Sequence, residues 1–194
     1  MPLPVNTATA TDAQLVALSL QNSDNFGMLV ERYETKLLRY IRRLSGTRNP
    51  DAEDILQEAF IKIYHHLNDF DADLSFSSWA YRITRNTCLD WGRAHQKNQN
   101  RSVDLDSDDW EKIAGQADIG QQLDDKIFRE KIADAISALG PKYRDPLLLY
   151  LLEEKTYEEI SDILRCPTGT VGALISRGKQ KLKTFLKDQP YVQR

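Results

Sequence analysis

Arg177, Lys179 and Gln180 lie within one helical turn of each other near the C-terminus, with Lys181 and Lys183 just beyond. These residue types suit nucleic acid. A guanidinium pairs bidentately with guanine, a carboxamide with adenine, and an ammonium takes phosphate. At about 100° per residue, Gly169, Gly172, Ala173, Ser176, Arg177 and Gln180 turn away from a stripe of Val171, Ile175, Gly178, Leu182 and Phe185. Glycine costs a helix roughly 1 kcal/mol, so Gly169 and Gly172 make sense where the backbone must approach another surface closely. Thr168 and Thr170 stand at the start of this helix, where free backbone N–H groups form a phosphate site.

A second group is Trp79, Tyr81, Arg82, Arg85, Asn86, Trp91 and Arg93. Aromatics interleaved with arginines can stack on unpaired bases and hold the backbone, at about 1–3 kcal/mol per stacked base. Trp79 shares a helix face with Ile83, so it suits a core position equally well. The third group is Asp54, Gln57, Glu58 and Ile61, which project together at helical spacing. An isoleucine inside an acidic patch has the composition of a protein–protein contact, although single surface isoleucines are common.

Helices must position all three groups. Phe26, Leu29, Val30, Tyr33, Leu37, Tyr40, Ile41 and Leu44 recur at three- and four-residue steps after Ser23, a candidate cap. Pro50 suits the first turn of the next helix, where Asp51, Glu53 and Asp54 complement the dipole; Ala52, Ile55, Leu56, Ala59, Phe60, Ile63 and Leu67 form its buried face. A further helix is expected from Ser75. Beyond it, residues 123–139 form an amphipathic helix stopped at Gly140-Pro141. Thr156 and Glu159 form a capping box opening a helix at Tyr157, and Arg165-Cys166-Pro167 breaks it before a basic helix from Thr168. Two short helices on a tight turn, the second basic, is the helix-turn-helix pattern. The expected fold class is all-α, with two small helical domains.

Charge is unevenly spread. The 194 residues carry a net −3, a value that argues against nucleic-acid binding until its distribution is seen. Residues 98–125 hold eight acids (Asp104, Asp106, Asp108, Asp109, Glu111, Asp118, Asp124, Asp125) against Arg101 and Lys112, whereas residues 165–187 hold six bases and no acid. The acidic segment reads as a linker. In the free protein its charge is expected to lie against the basic end and screen it.

Other classes fit poorly. Hydrophobic residues make up 41% and charged residues 28%, which suits a packed protein. The longest apolar run, 147–152, is too short to span a bilayer, and no leader opens the sequence, so a cytoplasmic location is expected. Cys88 and Cys166 are far apart, and adjacent His65 and His66 point to different helix faces, so no metal, cofactor or catalytic residue is expected.

Asp51-Ala-Glu-Asp-Ile-Leu-Gln-Glu-Ala-Phe60, Phe76-Ser-Ser-Trp-Ala-Tyr-Arg-Ile-Thr-Arg-Asn86, Tyr157-Glu-Glu-Ile160 and Pro167-Thr-Gly-Thr-Val171 together resemble the extracytoplasmic-function (ECF) class of bacterial RNA polymerase sigma factors. The resemblance runs from about residue 12 to 187. It implies a non-enzymatic initiation subunit that brings core polymerase to specific promoters and helps melt the −10 region. On that resemblance Asp54, Gln57, Glu58, Phe60 and Ile61 meet the β′ clamp helices. Phe76, Trp79, Tyr81, Arg82, Arg85 and Asn86 engage the −10 element. Thr168, Gly169, Thr170, Gly172, Ala173, Ser176, Arg177, Lys179 and Gln180 read the −35 element. The expected partners are core polymerase (β′ clamp helices and β flap), promoter DNA and an anti-sigma protein, with no membrane insertion. The implied divisions are a tail (1–11), a polymerase and −10 domain (12–96), an acidic linker (97–122), a helix-turn-helix domain (123–188) and a tail (189–194). Leu174 stands where the family usually has a basic residue, which leaves more of the DNA contact to Arg177 and Lys179. The alternative is a free-standing helix-turn-helix regulator, but the sequence offers no dimerisation heptads for a palindromic site.

Overall fold

The computed structural model describes residues 10–45, 51–71, 74–94, 103, 105–106, 108–110, 112–113 and 126–188. Among these no strand occurs, and the all-α expectation holds. Pro50 and most of the acidic segment lie outside the described residues.

Four helices build the first half. α1 (Asp12–Gln21) opens on a capping box in which Thr11 and Gln14 satisfy each other's backbone amides. α2 (Phe26–Ser45) buries the expected stripe of Leu29, Tyr33, Leu37, Tyr40, Ile41 and Leu44. The Ser23 cap is corrected: Ser23 sits in a 3₁₀ turn, Ser23–Asn25, whose cap is Asn22. The Asn22 carboxamide accepts from the Asp24 amide at 3.1 Å, the local backbone bond at which asparagine outperforms serine. α3 (Asp51–His65) buries Ala52, Ile55, Leu56, Ala59 and Ile63. α4 (Phe76–Ala94) starts where the Ser75 hydroxyl accepts the Ser78 amide. α2, α3 and α4 pack mutually, with α1 against α2.

Among the described residues the second half has four more from residue 126 on. α5 (Lys126–Ala138) ends before Gly140-Pro141, as the sequence predicts. α6 (Pro141–Leu151) carries Pro146 within it, beside the buried Leu147, Leu148, Leu149 and Leu151. α7 (Tyr157–Leu164) has the predicted Thr156–Glu159 capping box. α8 (Thr168–Asp188) follows after Arg165, whose backbone is left-handed at φ 53° and ends α7. Val171, Ile175, Gly178 and Leu182 are buried as expected; Phe185 is partly exposed. A Cβ on Gly178 would stand in ordinary van der Waals contact, 3.5 Å from the Tyr143 carbonyl, so α6 and α8 cross with room for a methyl but not for a longer side chain.

The halves do not hang apart. α4 packs along α7, and α2 touches α6, so one continuous apolar core runs through both. The acidic segment contributes to it through Val103, Trp110 and Ile113. The sequence reads this segment as an acidic linker between the two domains. These three residues carry too little periodicity to register as an element, yet they bury fully.

Candidate functional site

α3 turns Asp54, Gln57, Glu58 and Ile61 to solvent, opposite its buried face. Ile61 is 56% exposed. Glu58 pairs with Lys62 one turn on, at 2.7 Å, an exposed contact of modest worth. Phe60 is half-buried, edge-to-face with Phe26 at 6.4 Å. The four outward residues form one patch and Phe60 fixes the helix beneath it.

α4 divides its predicted residues between core and rim. Phe76 is core: its ring lies 5.3 Å from Tyr33 and 5.4 Å from Phe70. Trp79 is also buried, 5.4 Å from Phe70, so of its two readings the structure realises the packing one in this arrangement. Tyr81 is buried against Tyr40, and burial followed by the nearby Glu153 carboxylate drives its pKa far up. Arg82 is half-buried at a cleft of about 370 Å³ between α4 and the α7–α8 turn, lined also by Ser78, Trp79, Asp162 and Arg165. Burial and the facing Arg165 guanidinium lower its pKa, while Asp162 opposes them. Asn86 is exposed. Arg85 reaches across to α6, where its Nε and Nη2 donate to Asp145 Oδ2 at 3.1 and 2.7 Å.

α8 shows the predicted face. Gly169, Thr170, Ala173, Ser176, Arg177 and Gln180 are exposed, and Thr168 and Gly172 partly so. Gly172 lies under the Tyr157 ring, which a Cβ there would meet at 3.5 Å. Lys179 is half-buried, its ammonium 4.4 Å from the centre of the Tyr150 ring, and Lys181 sits 5.4 Å from that of Tyr143. Cation–π contacts therefore hold the two lysines against α6.

The described acids of the acidic segment, Asp106, Asp108 and Asp109, do not lie against the basic end. Among the described residues its acids meet α2, not the basic end: Asp106 and Asp108 stand 3.6 and 3.5 Å from Arg39, and Asp109 is buried on Arg43. Proximity in the fold overrides the larger but more distant positive charge, because screening confines such attractions to about a Debye length. Asp104 and Asp118 lie outside the described residues.

Sequence reasoning missed the buried charges. Arg43 lies in the apolar face of α2 and binds both Asp109 and Glu153, which follows α6. Glu153 also accepts the Tyr81 hydroxyl at 2.7 Å. Burial raises the pKa values of Glu153, Asp109 and Asp145, opposed by Arg43 for the first two and by Arg85 for the third. Burial works to lower that of Arg43, but Glu153 and Asp109 more than offset it. The signal was available as a charge inside an apolar stripe, Arg43 beside Ile41 and Leu44, and an acid at each end of the Pro146–Leu152 run.

Known proteins place this architecture. The family model of Sigma-70 region 2 matches residues 29–98, and that of Sigma-70, region 4, matches residues 129–182. The ECF RNA polymerase sigma factor SigW of Bacillus subtilis (strain 168) is 32% identical over 174 residues, covering 86% of this chain and 91% of that protein. The ECF RNA polymerase sigma-E factor of Escherichia coli (strain K12) is 31% identical over 189 residues, covering 93% and 96%. Among solved structures, CnrH in complex with the cytosolic domain of CnrY shares the fold, with a TM-score of 0.67 at 23% identity over 92% of this chain and 99% of that one. RpoE of Bartonella quintana, solved with the anti-sigma factor NepR, gives 0.60 at 20% identity over 86% and 99%. The chain belongs to the ECF RNA polymerase sigma factors. It is a transcription-initiation subunit that directs core polymerase to promoters and assists melting of the −10 region.

Proposed function

We propose that this sigma factor meets core polymerase through Asp54, Gln57, Glu58 and Ile61, supported from beneath by Phe60, against the β′ clamp helices. The observation that carries this is the solvent-facing patch on α3, two acids and a glutamine on the same face as an exposed isoleucine. α4 serves the −10 element with Arg82, Arg85 and Asn86 at its surface and Phe76, Trp79 and Tyr81 packed behind them. α8 serves the −35 element through Thr168, Gly169, Thr170, Gly172, Ala173, Ser176, Arg177, Lys179 and Gln180. The working divisions are 12–96 and 123–188 around the 97–122 connection. The chain acts in the cytoplasm without catalysis of its own; among the described residues no helix is long and apolar enough to cross a membrane. An anti-sigma protein is its regulator, as the complexes of CnrH with CnrY and RpoE with NepR suggest. Run-off transcription on genomic promoter fragments, with core polymerase and with or without this chain, tests the reading. New transcripts dependent on the chain are expected; their absence would overturn it.

A further inference from the structure

The cleft between α4 and the α7–α8 turn, about 370 Å³, is of the size that holds a small ligand. Arg82 lines it from α4 and Arg165 from the turn, near enough for the Arg165 charge to lower the pKa of Arg82. Among the described lining residues the one acid is Asp162, and no ion pair joins it to either guanidinium. Two positive charges against one negative leave the cleft with a positive surplus. Its hydroxyls are unequally engaged. Ser75 Oγ accepts the Ser78 amide at 3.2 Å, and Ser161 Oγ donates to the Cys166 carbonyl at 2.6 Å. Ser78 is 3% exposed, and its Oγ is buried with no hydrogen-bond partner among the described residues. Leu74, 52% exposed, and Pro167 give the rim an apolar margin.

Each of these features asks for a different part of one molecule. A guanidinium offers a fork of N–H donors that matches phosphate oxygens. Two forks facing one space suit a group with three terminal oxygens and close to two negative charges, which a phosphate monoester has near neutral pH. A buried hydroxyl left without a partner is costly, and a phosphate oxygen would satisfy it. We propose that this cleft binds a small phosphate monoester, its phosphate between Arg82 and Arg165 with the Ser78 hydroxyl donating to it, and its organic part against Leu74 and Pro167. The site goes beyond the promoter roles given to α4 and α8 and does not depend on them.

Phenyl phosphate is the probe, and inorganic phosphate is its control without an organic part. Calorimetry on the full chain reads affinity. The rate of Cys166 alkylation by iodoacetamide reads position, because Cys166 lines the same cleft while Cys88 is buried. At ten times its Kd, phenyl phosphate should slow that alkylation about tenfold. Arg82→Gln should weaken binding about tenfold, and so should Arg165→Gln, which alters an exposed side chain and keeps the test open if the first variant fails to fold. Ser78→Ala changes no charge and should weaken binding about fivefold. Affinity untouched by Ser78→Ala would reduce the binding to charge attraction and overturn the site. Heat of binding with Cys166 unprotected would overturn it by placing the probe elsewhere. Inorganic phosphate binding as tightly as phenyl phosphate would leave Leu74 and Pro167 idle and overturn it too, as would no heat and no protection at millimolar probe.

Discussion

Tyr81 Oη donates a 2.7 Å hydrogen bond to Glu153 Oε2, joining α4 to the half that carries the helix-turn-helix. The phenol is buried, so its hydroxyl has no water to fall back on. Tyr81→Phe leaves the ring packed on Tyr40 and deprives Glu153 of one donor. A stability loss of about 1–3 kcal/mol is expected, read by chemical denaturation of the full chain. A loss within 0.5 kcal/mol, roughly what a surface change costs, would show the hydroxyl to be idle.

Replacing Asp54, Gln57 and Glu58 with alanine should abolish binding to core polymerase while leaving the circular dichroism spectrum and the melting temperature nearly unchanged. All three side chains are exposed, and the Glu58–Lys62 pair is worth a few tenths of a kcal/mol. Unfolding of the triple variant would instead make the patch structural.

Arg177→Ala should cost about 1–3 kcal/mol at one position of the −35 element and little elsewhere. Lys183→Ala should weaken every duplex alike and reduce the salt slope by about one. Both side chains are exposed on α8. Titrations of matched and mismatched duplexes decide; equal losses with Arg177→Ala would remove it from base reading.

Gly178→Ala places a methyl in ordinary van der Waals contact with the Tyr143 carbonyl, so no backbone shift is needed. It should be neutral or stabilise by up to about 1 kcal/mol through helix propensity. Gly178→Leu has no room between α6 and α8 and should destabilise by about 1–3 kcal/mol. Thermal melts of the pair separate a spacing glycine from a flexible one; equal melting temperatures would refute the spacing role.

The buried charges set a pH dependence. Asp109 between the halves, Asp145 on α6 and Glu153 after it face Arg43 from α2, Arg85 and Tyr81 from α4, and Lys155 and Arg144 nearby. Burial raises all three carboxyls. A carboxyl raised above its unfolded value, about 4, keeps a proton in the native state that the unfolded chain has released. Stability is therefore lost as pH rises through the interval between the ordinary and raised values, and is level above both. The melting temperature should climb on acidification into that interval, and Glu153→Gln should flatten the climb. An equally steep profile in the variant would remove Glu153 from the effect.

The helices were legible because their signals are local. Thr156 with Glu159, Gly140 with Pro141, and the stripe from Leu29 to Leu44 each fix an element within a few residues. The exposed face of α8 and the patch on α3 followed from the same periodicity. The junction was not legible. The partners of Arg43 lie 66 and 110 residues away, and no periodic rule links such positions. For the same reason Tyr81 and Arg85 looked like free nucleic-acid contacts, and Asp109 like one charge among eight.

That separation also orders events at the ribosome. The first half of a chain folds while the rest is still being made, at about 5–20 residues per second. Glu153 emerges 110 residues after Arg43, on the order of 10 s later at that pace. Asp109 likewise follows Arg43 by 66 residues and Asp145 follows Arg85 by 60, so both arginines are made before the carboxylates that pair with them. Synthesis order therefore leaves an interval in which a polyanion meets α4 before its own carboxylates do.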